Sequence, residues 1–339
     1  MGEIMLRLST PGCSRFVQVD NFDACYGGGE ANVAVSLAGF GHNVRFVTKL
    51  PQNAIADCAI NELYRMHVNT DHIVRGGERI GSYYLESGSS VRPSRVIYDR
   101  KHSSISEAKP EEFDFDRIYD GVKWLHISGI TAGISKEGAV LTESFAREAK
   151  LRNIKISLDI NYRGKLWTME EAGKVMPSLA EFADIAFAGP IDCIKILGCT
   201  DTIGDDTNKA MADKKTGEQV LRELAEKYNI SYVINSQRES ISATHNIIGA
   251  RIINGATGEC VYSSTYDVDS IVDRVGGGDA LAAGVLSALA YDYEDFAGAI
   301  EFGAAASAIK HTIKGDYNIA SRELVEELIG SGGSGLIKR

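Results

Sequence analysis

The feature that most constrains this chain is a repeated alternation of helix-like and strand-like segments. EANVAVSLAGFG (30–41) carries Ala, Val and Leu at helical spacing and ends on glycines. NVRFVTKL (43–50) reads as a strand and NAIADCAINELYRM (53–66) as an amphipathic helix, with residues 2–9 as the strand that opens the series. The alternation resumes with strand 122–129, helix 136–151, strand 155–161, helix 169–182, strand 183–189, helix 218–228 and strand 231–237. Two alanine-rich helices, 279–291 and 294–310, and a last helix at about 321–329 close it. Strands separated by helices pair in parallel and bury both faces of their sheet, so the fold class is α/β with a mainly parallel central sheet. Residues 14–26 and 73–100 break the rhythm. They are strand-like with no helix between them, and RIGSYYLESG and SRVIYDR read as antiparallel pieces of a small sheet inserted into the body.

Composition narrows the function classes. The chain has 339 residues, 44% hydrophobic, enough for a large core, and a formal net charge of −10. That balance argues against non-specific nucleic-acid binding and against an anionic membrane surface, and leaves an anionic small molecule open, because a few arginines reverse the field locally. The six cysteines form no CxxC pair and no His cluster accompanies them, which reads as reduced thiols in a cytoplasmic protein. No apolar stretch approaches the length of a membrane span, and MGEIMLRLST lacks the apolar core of a signal peptide. Its first residues read like the middle of a strand. The Gly/Ser run that opens GSGGSGLIKR makes 331–339 a flexible tail.

Two glycine clusters carry the chemistry. DRVGGGDALAAG (273–284) follows a strand-like stretch and opens a helix. The first turn of a helix offers free N–H groups and a partial positive charge, and glycines let an anion approach that backbone. Asp279 would repel a phosphate held there, so as a functional group it makes sense as a base that takes a proton from an attacking hydroxyl. As a structural group it is a helix cap; the stretch alone leaves both readings open. YGGGEANVA (26–34) is again strand, glycines and helix: Gly28 would let a polar substrate lie on the backbone and Asn32 would bond its hydroxyls, or the cluster simply packs helix on sheet. Neither cluster is a Walker-type phosphate loop.

The pairing of GGGEANVAVSLAGFG with DRVGGGDALAAG resembles the ribokinase-like (PfkB) carbohydrate kinases, from Gly2 to about Ile329. The resemblance implies one domain over 1–330, a three-layer α/β/α body with a small β-sheet lid made of the strands near 14–26 and 73–100. It implies Asp279 as base and Gly276, Gly277 and Gly278 as the anion hole. Lid and loops add a polar set: Tyr83, Tyr98, Arg100, Asn161, Tyr162 and Arg163. Two arginines facing one cleft suit a carboxylate, which guanidinium binds through paired charge-assisted bonds, whereas surface arginines in ion pairs are the plain alternative.

RIGSYYLE, RPSRVIYDR, DINYRGKLWT and IKGDY resemble the 2-keto-3-deoxygluconate kinase branch of that family. This implies that Gly28, Asn32, Tyr83, Tyr98, Arg100 and Arg163 line a sugar-acid site, with Asp316 near the sugar or nucleotide. The nucleotide is expected over Asn161, Ser236, Arg238, Gly276 and Gly278. ATP and Mg²⁺ are the implied cofactors, a monovalent cation is left open, and a homodimer is the expected assembly. The family's Asn-x-x-Glu stretch is here GPID: Gly189 stands for the Asn and Asp192, the expected Mg²⁺ group, for the Glu. Most of the apolar residues that precede GE in relatives are also missing. Two alternatives stay in play: a ribokinase- or fructokinase-type sugar kinase, which gives no reason for the arginine pair, and, from these departures, a catalytically weakened relative that binds a sugar acid or serves as a scaffold.

Overall fold

The computed structural model describes residues 1–202 and 214–332, so most of the Gly/Ser tail lies outside the described residues. The chain forms two compact units. One comprises Met1, Ser106–Ser236 and Arg251–Val261; the other comprises Gly2–Ile105, Gln237–Ala250 and the chain from Tyr262 on.

In the first unit the strands Trp124–Ser128, Lys155–Asp159 and Ile185–Phe187 and the strand that begins at Tyr232 lie side by side in that order, all parallel. Ile156–Leu158 and Ile185–Phe187 are unbroken buried runs, as strands covered on both faces require. Helices Lys136–Leu151, Met169–Ala180 and Lys214–Tyr228 connect them. Thr168 and Glu171 close a reciprocal capping box that starts the second of these. A helix absent from the sequence reading, Pro190–Lys195, starts at Gly189 with proline in its first turn, where the missing N–H costs nothing.

The second unit holds a four-stranded sheet in the order Asp23–Gly27, Met5–Ser9, Gly81–Glu86, Arg95–Asp99. This corrects the opening of the strand series. Met5–Ser9 pairs antiparallel with Asp23–Gly27 and parallel with Gly81–Glu86, and belongs to the small sheet. Its burial alternates along MLRLS, the pattern of a strand with one face covered, unlike the buried runs of the first unit. Within 43–50 only Lys49–Leu50 is a strand, paired with Val74–Arg75. Helices Gly29–Gly39, Ala54–Arg65, Gly277–Tyr291, Phe296–Lys310 and Arg322–Gly330 complete the unit. Gly277–Tyr291 and Phe296–Lys310 are apolar on nearly every face and are buried accordingly. They meet at Gly284 and Gly303, where a Cβ on Gly284 would stand 2.7 Å from the other glycine's Cα. No helix among the described residues is long and apolar enough to cross a membrane.

Candidate active site

The glycine turn of the second unit is built around Gly276. It occupies the cap position of helix Gly277–Tyr291 in the left-handed region, φ 84°, and a Cβ there would fall 2.0 Å from the Asp316 carbonyl oxygen. The amides of Gly277 and Gly278 follow in the first turn, where no helix carbonyl is available to them. Asp279 therefore sits inside the turn and is not the helix cap. Its carboxylate is only partly buried. Asn32 Nδ2 donates to Asp279 Oδ2 at 2.6 Å, and Asn32 Oδ1 accepts from the Gly28 amide at 3.2 Å. The two glycine clusters thus meet through one side chain. Asn32, expected to bond sugar hydroxyls, is buried and aims the Asp279 carboxylate. Gly28 is extended, and its missing Cβ leaves room for the Glu3 carbonyl.

Beneath the turn lies a charge network that sequence reasoning missed. Arg7 Nη2 donates to Asp273 Oδ2 at 2.5 Å and Nη1 to Asp316 Oδ1 at 2.6 Å, all three side chains being almost wholly buried. Sheet register places Arg7 beside Cys25 on one neighbouring strand and Tyr83 on the other, with Tyr98 opposite Tyr83. Tyr83 donates its hydroxyl to Asp316 Oδ2 at 2.5 Å. Tyr83 and Asp316, both expected to face substrate, are in the structure 3% exposed and bonded to each other, because a buried carboxylate and a buried phenol each require a partner. Burial pushes the Asp316 carboxyl up, against the pull of Arg7 and the Tyr83 hydroxyl. Burial lifts the Cys25 thiol to about 11, helped by Asp316. Asp273 also accepts from the amides of Val275 and Gly315, joining the head of the turn to the Lys314–Asp316 loop. The signals were present: Asp273 heads the DRVGGGD motif, and Arg7 is a charge at an inward position of an alternating strand.

His311 packs on the turn. A Cβ at Gly277 would stand 2.4 Å from its Cε1, and its Nδ1 lies 2.7 Å from the Ser307 carbonyl oxygen. Burial lowers its pKa to about 4, with further depression from Lys310, Arg238 and Arg274. Arg238, an expected nucleotide residue, and Arg274, not anticipated, therefore both place positive charge within electrostatic reach of the turn.

Arg100 departs from its expected role. It is 8% exposed and ion-paired with the buried Glu3, which also accepts from Ser103 Oγ at 2.8 Å. Its guanidinium carbon lies 5.5 Å from the Tyr98 ring centroid. A guanidinium this deep needs a counter-charge, and Glu3 supplies it, so Arg100 is not the open cation expected for a substrate carboxylate.

The remaining candidates belong to the first unit, at the carboxyl ends of its adjacent parallel strands, where α/β sheets bind ligands. Asn161 follows Lys155–Asp159 in the left-handed region, φ 38°, with Nδ2 3.0 Å from Asp159 Oδ2. Arg163 is exposed; Tyr162 donates to the Trp167 carbonyl. Beyond Ile185–Phe187, Asp192 has its pKa raised to about 6 by burial, opposed by a bond from the Gly189 amide and by the Arg163 charge. Ser236 is exposed on the next strand. Among the described residues no group of three or more His, Cys, Asp or Glu could hold a metal ion.

The pfkB family carbohydrate kinase model matches residues 2–322. The chain belongs to the pfkB family of carbohydrate kinases. It is 30% identical over 337 residues to a 2-dehydro-3-deoxygalactonokinase of Haloferax volcanii, covering 99% of this chain and 97% of the relative. It is 24% identical over 318 residues to a 2-dehydro-3-deoxygluconokinase of Bacillus subtilis, covering 93% and 89%. Among solved structures it is similar to a 2-dehydro-3-deoxygluconokinase of Thermotoga maritima, with 44% identity, a TM-score of 0.91, and coverage of 97% of this chain and 98% of that one. The fold is therefore the α/β ribokinase-like fold, and the chain is a carbohydrate kinase.

Proposed function

We propose that this kinase phosphorylates 2-dehydro-3-deoxy-D-gluconate on its terminal primary hydroxyl, using ATP and giving the 6-phosphate and ADP. The observation that carries the reading is the Asn32–Asp279 contact at the mouth of the glycine turn: a carboxylate held still beside first-turn amides is what deprotonation of an alcohol and transfer of a phosphoryl group require. Asp279 takes the hydroxyl proton as the oxygen attacks the γ-phosphorus. The amides of Gly276–Gly278 take the charge that develops on the transferred group. Arg238 and Arg274 add positive field, and Asn161 and Ser236 complete the nucleotide residues. Arg163, exposed, holds the substrate carboxylate; Tyr98 lines the sugar side, with Arg100 behind its ring. Tyr83 and Asp316 serve from beneath by fixing Arg7 and the turn.

Magnesium enters with the nucleotide. When bound it neutralises charge on the phosphates, and it usually keeps several waters. Asp192 is the acid that would meet it through water. The 44% identity to a protein named for the gluco epimer supports that substrate, and the 30% identity to a relative named for the galacto epimer supports a second one. The reading also carries a homodimer in the cytoplasm. Exposed Val17, Val91 and Ile97 in the small-sheet region support the first, to be read by light scattering on a sizing column; six free cysteines are compatible with the second.

The test is ADP release from Mg-ATP with each 2-keto-3-deoxy sugar acid, with ribose and fructose as controls. Turnover with a sugar acid alone is expected. Turnover with ribose or fructose instead makes the chain a ribokinase- or fructokinase-type enzyme. Binding of the acid without turnover makes it the weakened relative that Gly189 and Asp192 foreshadow.

A further inference from the structure

Lys310 is a lysine with no access to solvent at all, the last residue of helix Phe296–Lys310. Such a group is rare unless its charge has work nearby. Its Nζ donates to two main-chain carbonyl oxygens, Ile313 O at 3.0 Å and Asp273 O at 3.3 Å, and makes no ion pair among the described residues. Both carbonyls belong to the loops that meet at the glycine turn, and a Cβ on Gly276 would stand 3.2 Å from Lys310 Cε. Converging backbone carbonyls are also the ligands a dehydrated monovalent cation selects. Here the protein's own ammonium holds that position.

The buried charges show why a cation is needed there. Asp273 and Asp316 bring two negative charges under the turn and Arg7 returns one. Lys310 supplies the second positive charge and leaves the set neutral. Burial lowers its pKa, and Asp273, Asp316 and Asp279 oppose that by favouring the charged form. An unbalanced buried carboxylate directly beneath an anion-binding turn would weaken that turn for phosphate.

We propose that Lys310 is a built-in cation that takes the place of a dissociable monovalent ion, so that this kinase works without potassium or ammonium. Lys310 is on this account a positioning residue. The proposal rests on the kinase reading, but its test has a readout that does not.

ADP release is measured in choline chloride and in KCl or NH₄Cl at equal ionic strength, for the wild type, Lys310→Met and Lys310→Ala. The wild type is expected to change less than twofold between salts. Lys310→Met is expected to lose at least tenfold in kcat. Lys310→Ala, which opens space between the two carbonyls, is expected to lose as much in choline and to recover several-fold in potassium or ammonium. A wild type activated tenfold by potassium, or a Lys310→Met with wild-type kcat in choline, overturns the proposal. Thermal melts in the same salts supply the independent arm: potassium should leave the wild-type Tm unmoved and raise that of Lys310→Ala. A chain that turns over no sugar acid yet shows this pattern of melts keeps the built-in cation and loses the substrate reading. If Lys310→Ala does not fold, the wild-type salt comparison and Lys310→Met still decide.

Discussion

Asp279 and Arg100 are both charged residues that the sequence placed at the site, and the structure gives them opposite situations. Asp279 is partly exposed and accepts a hydrogen bond from the neutral amide of Asn32. Asp279→Asn should lower kcat by about 10²-fold or more while leaving the KM for the sugar acid nearly unchanged, the signature of a lost general base. Steady-state kinetics decide it, and an unchanged kcat removes Asp279 from the chemistry. Arg100 is buried on Glu3. Arg100→Ala strands that carboxylate and should cost about 3–5 kcal/mol of stability in urea unfolding. Arg163→Ala, at an exposed position, should stay within about 0.5 kcal/mol of the wild type yet raise the KM for the acid. If Arg100→Ala proves neutral for stability, the buried pair does not hold that region together. Motif spacing pointed to Asp279 and the glycines beside it, which share one turn, but not to the contact that Asn32 makes with Asp279 from 247 positions away. It could not distinguish Arg100 from Arg163, since which arginine meets a carboxylate of the protein itself is settled 97 positions away, at Glu3.

The helices were readable because each carries its own period and punctuation: Asn53, Ser135, Thr168 and Ser321 all cap the helices that follow them. The strand Met5–Ser9 was readable as a strand but not as a member of the small sheet, because pairing partners 18 and 76 residues away set its place. That placement is what lines up Cys25, Arg7, Tyr83 and Tyr98 and builds the network under the turn. The glycine turn itself separates two needs that the letters GGG merge. Gly276 is required by the backbone: φ is positive and the Asp316 carbonyl fills the space of a Cβ. Gly278 has no atom within 4 Å of that space and is exposed. Gly276→Ala should therefore destabilise the protein by about 1–2 kcal/mol or more. Gly278→Ala should melt like the wild type and still lose turnover, because its methyl group would stand where phosphate oxygens approach. A Gly278→Ala enzyme of full activity would show that phosphate does not lie on this turn.

At the scale of the whole molecule, one histidine in each unit has its pKa pulled far down by burial. In the first, burial holds His126 at about 3; in the second, burial holds His311 at about 4. Unfolding returns both toward about 6.5, so the unfolded chain binds two protons that the folded chain refuses. Their contribution is fully present above about pH 6.5 and is lost as the pH falls toward 4. Asp192 acts in the reverse sense. Its folded pKa of about 6 lies above the unfolded value, so the fold keeps a proton there that the unfolded chain releases, and stability rises as the pH falls through that value. Between about pH 6 and 4 the three groups leave one net proton taken up on unfolding, a slope of about 1.4 kcal/mol per pH unit. Asp192→Asn removes the opposing group. The variant should be more stable than the wild type at pH 7, and its acid loss should be steeper between pH 6 and 4, read from urea unfolding at a series of pH values. An unchanged slope would mean that Asp192 is charged throughout this range.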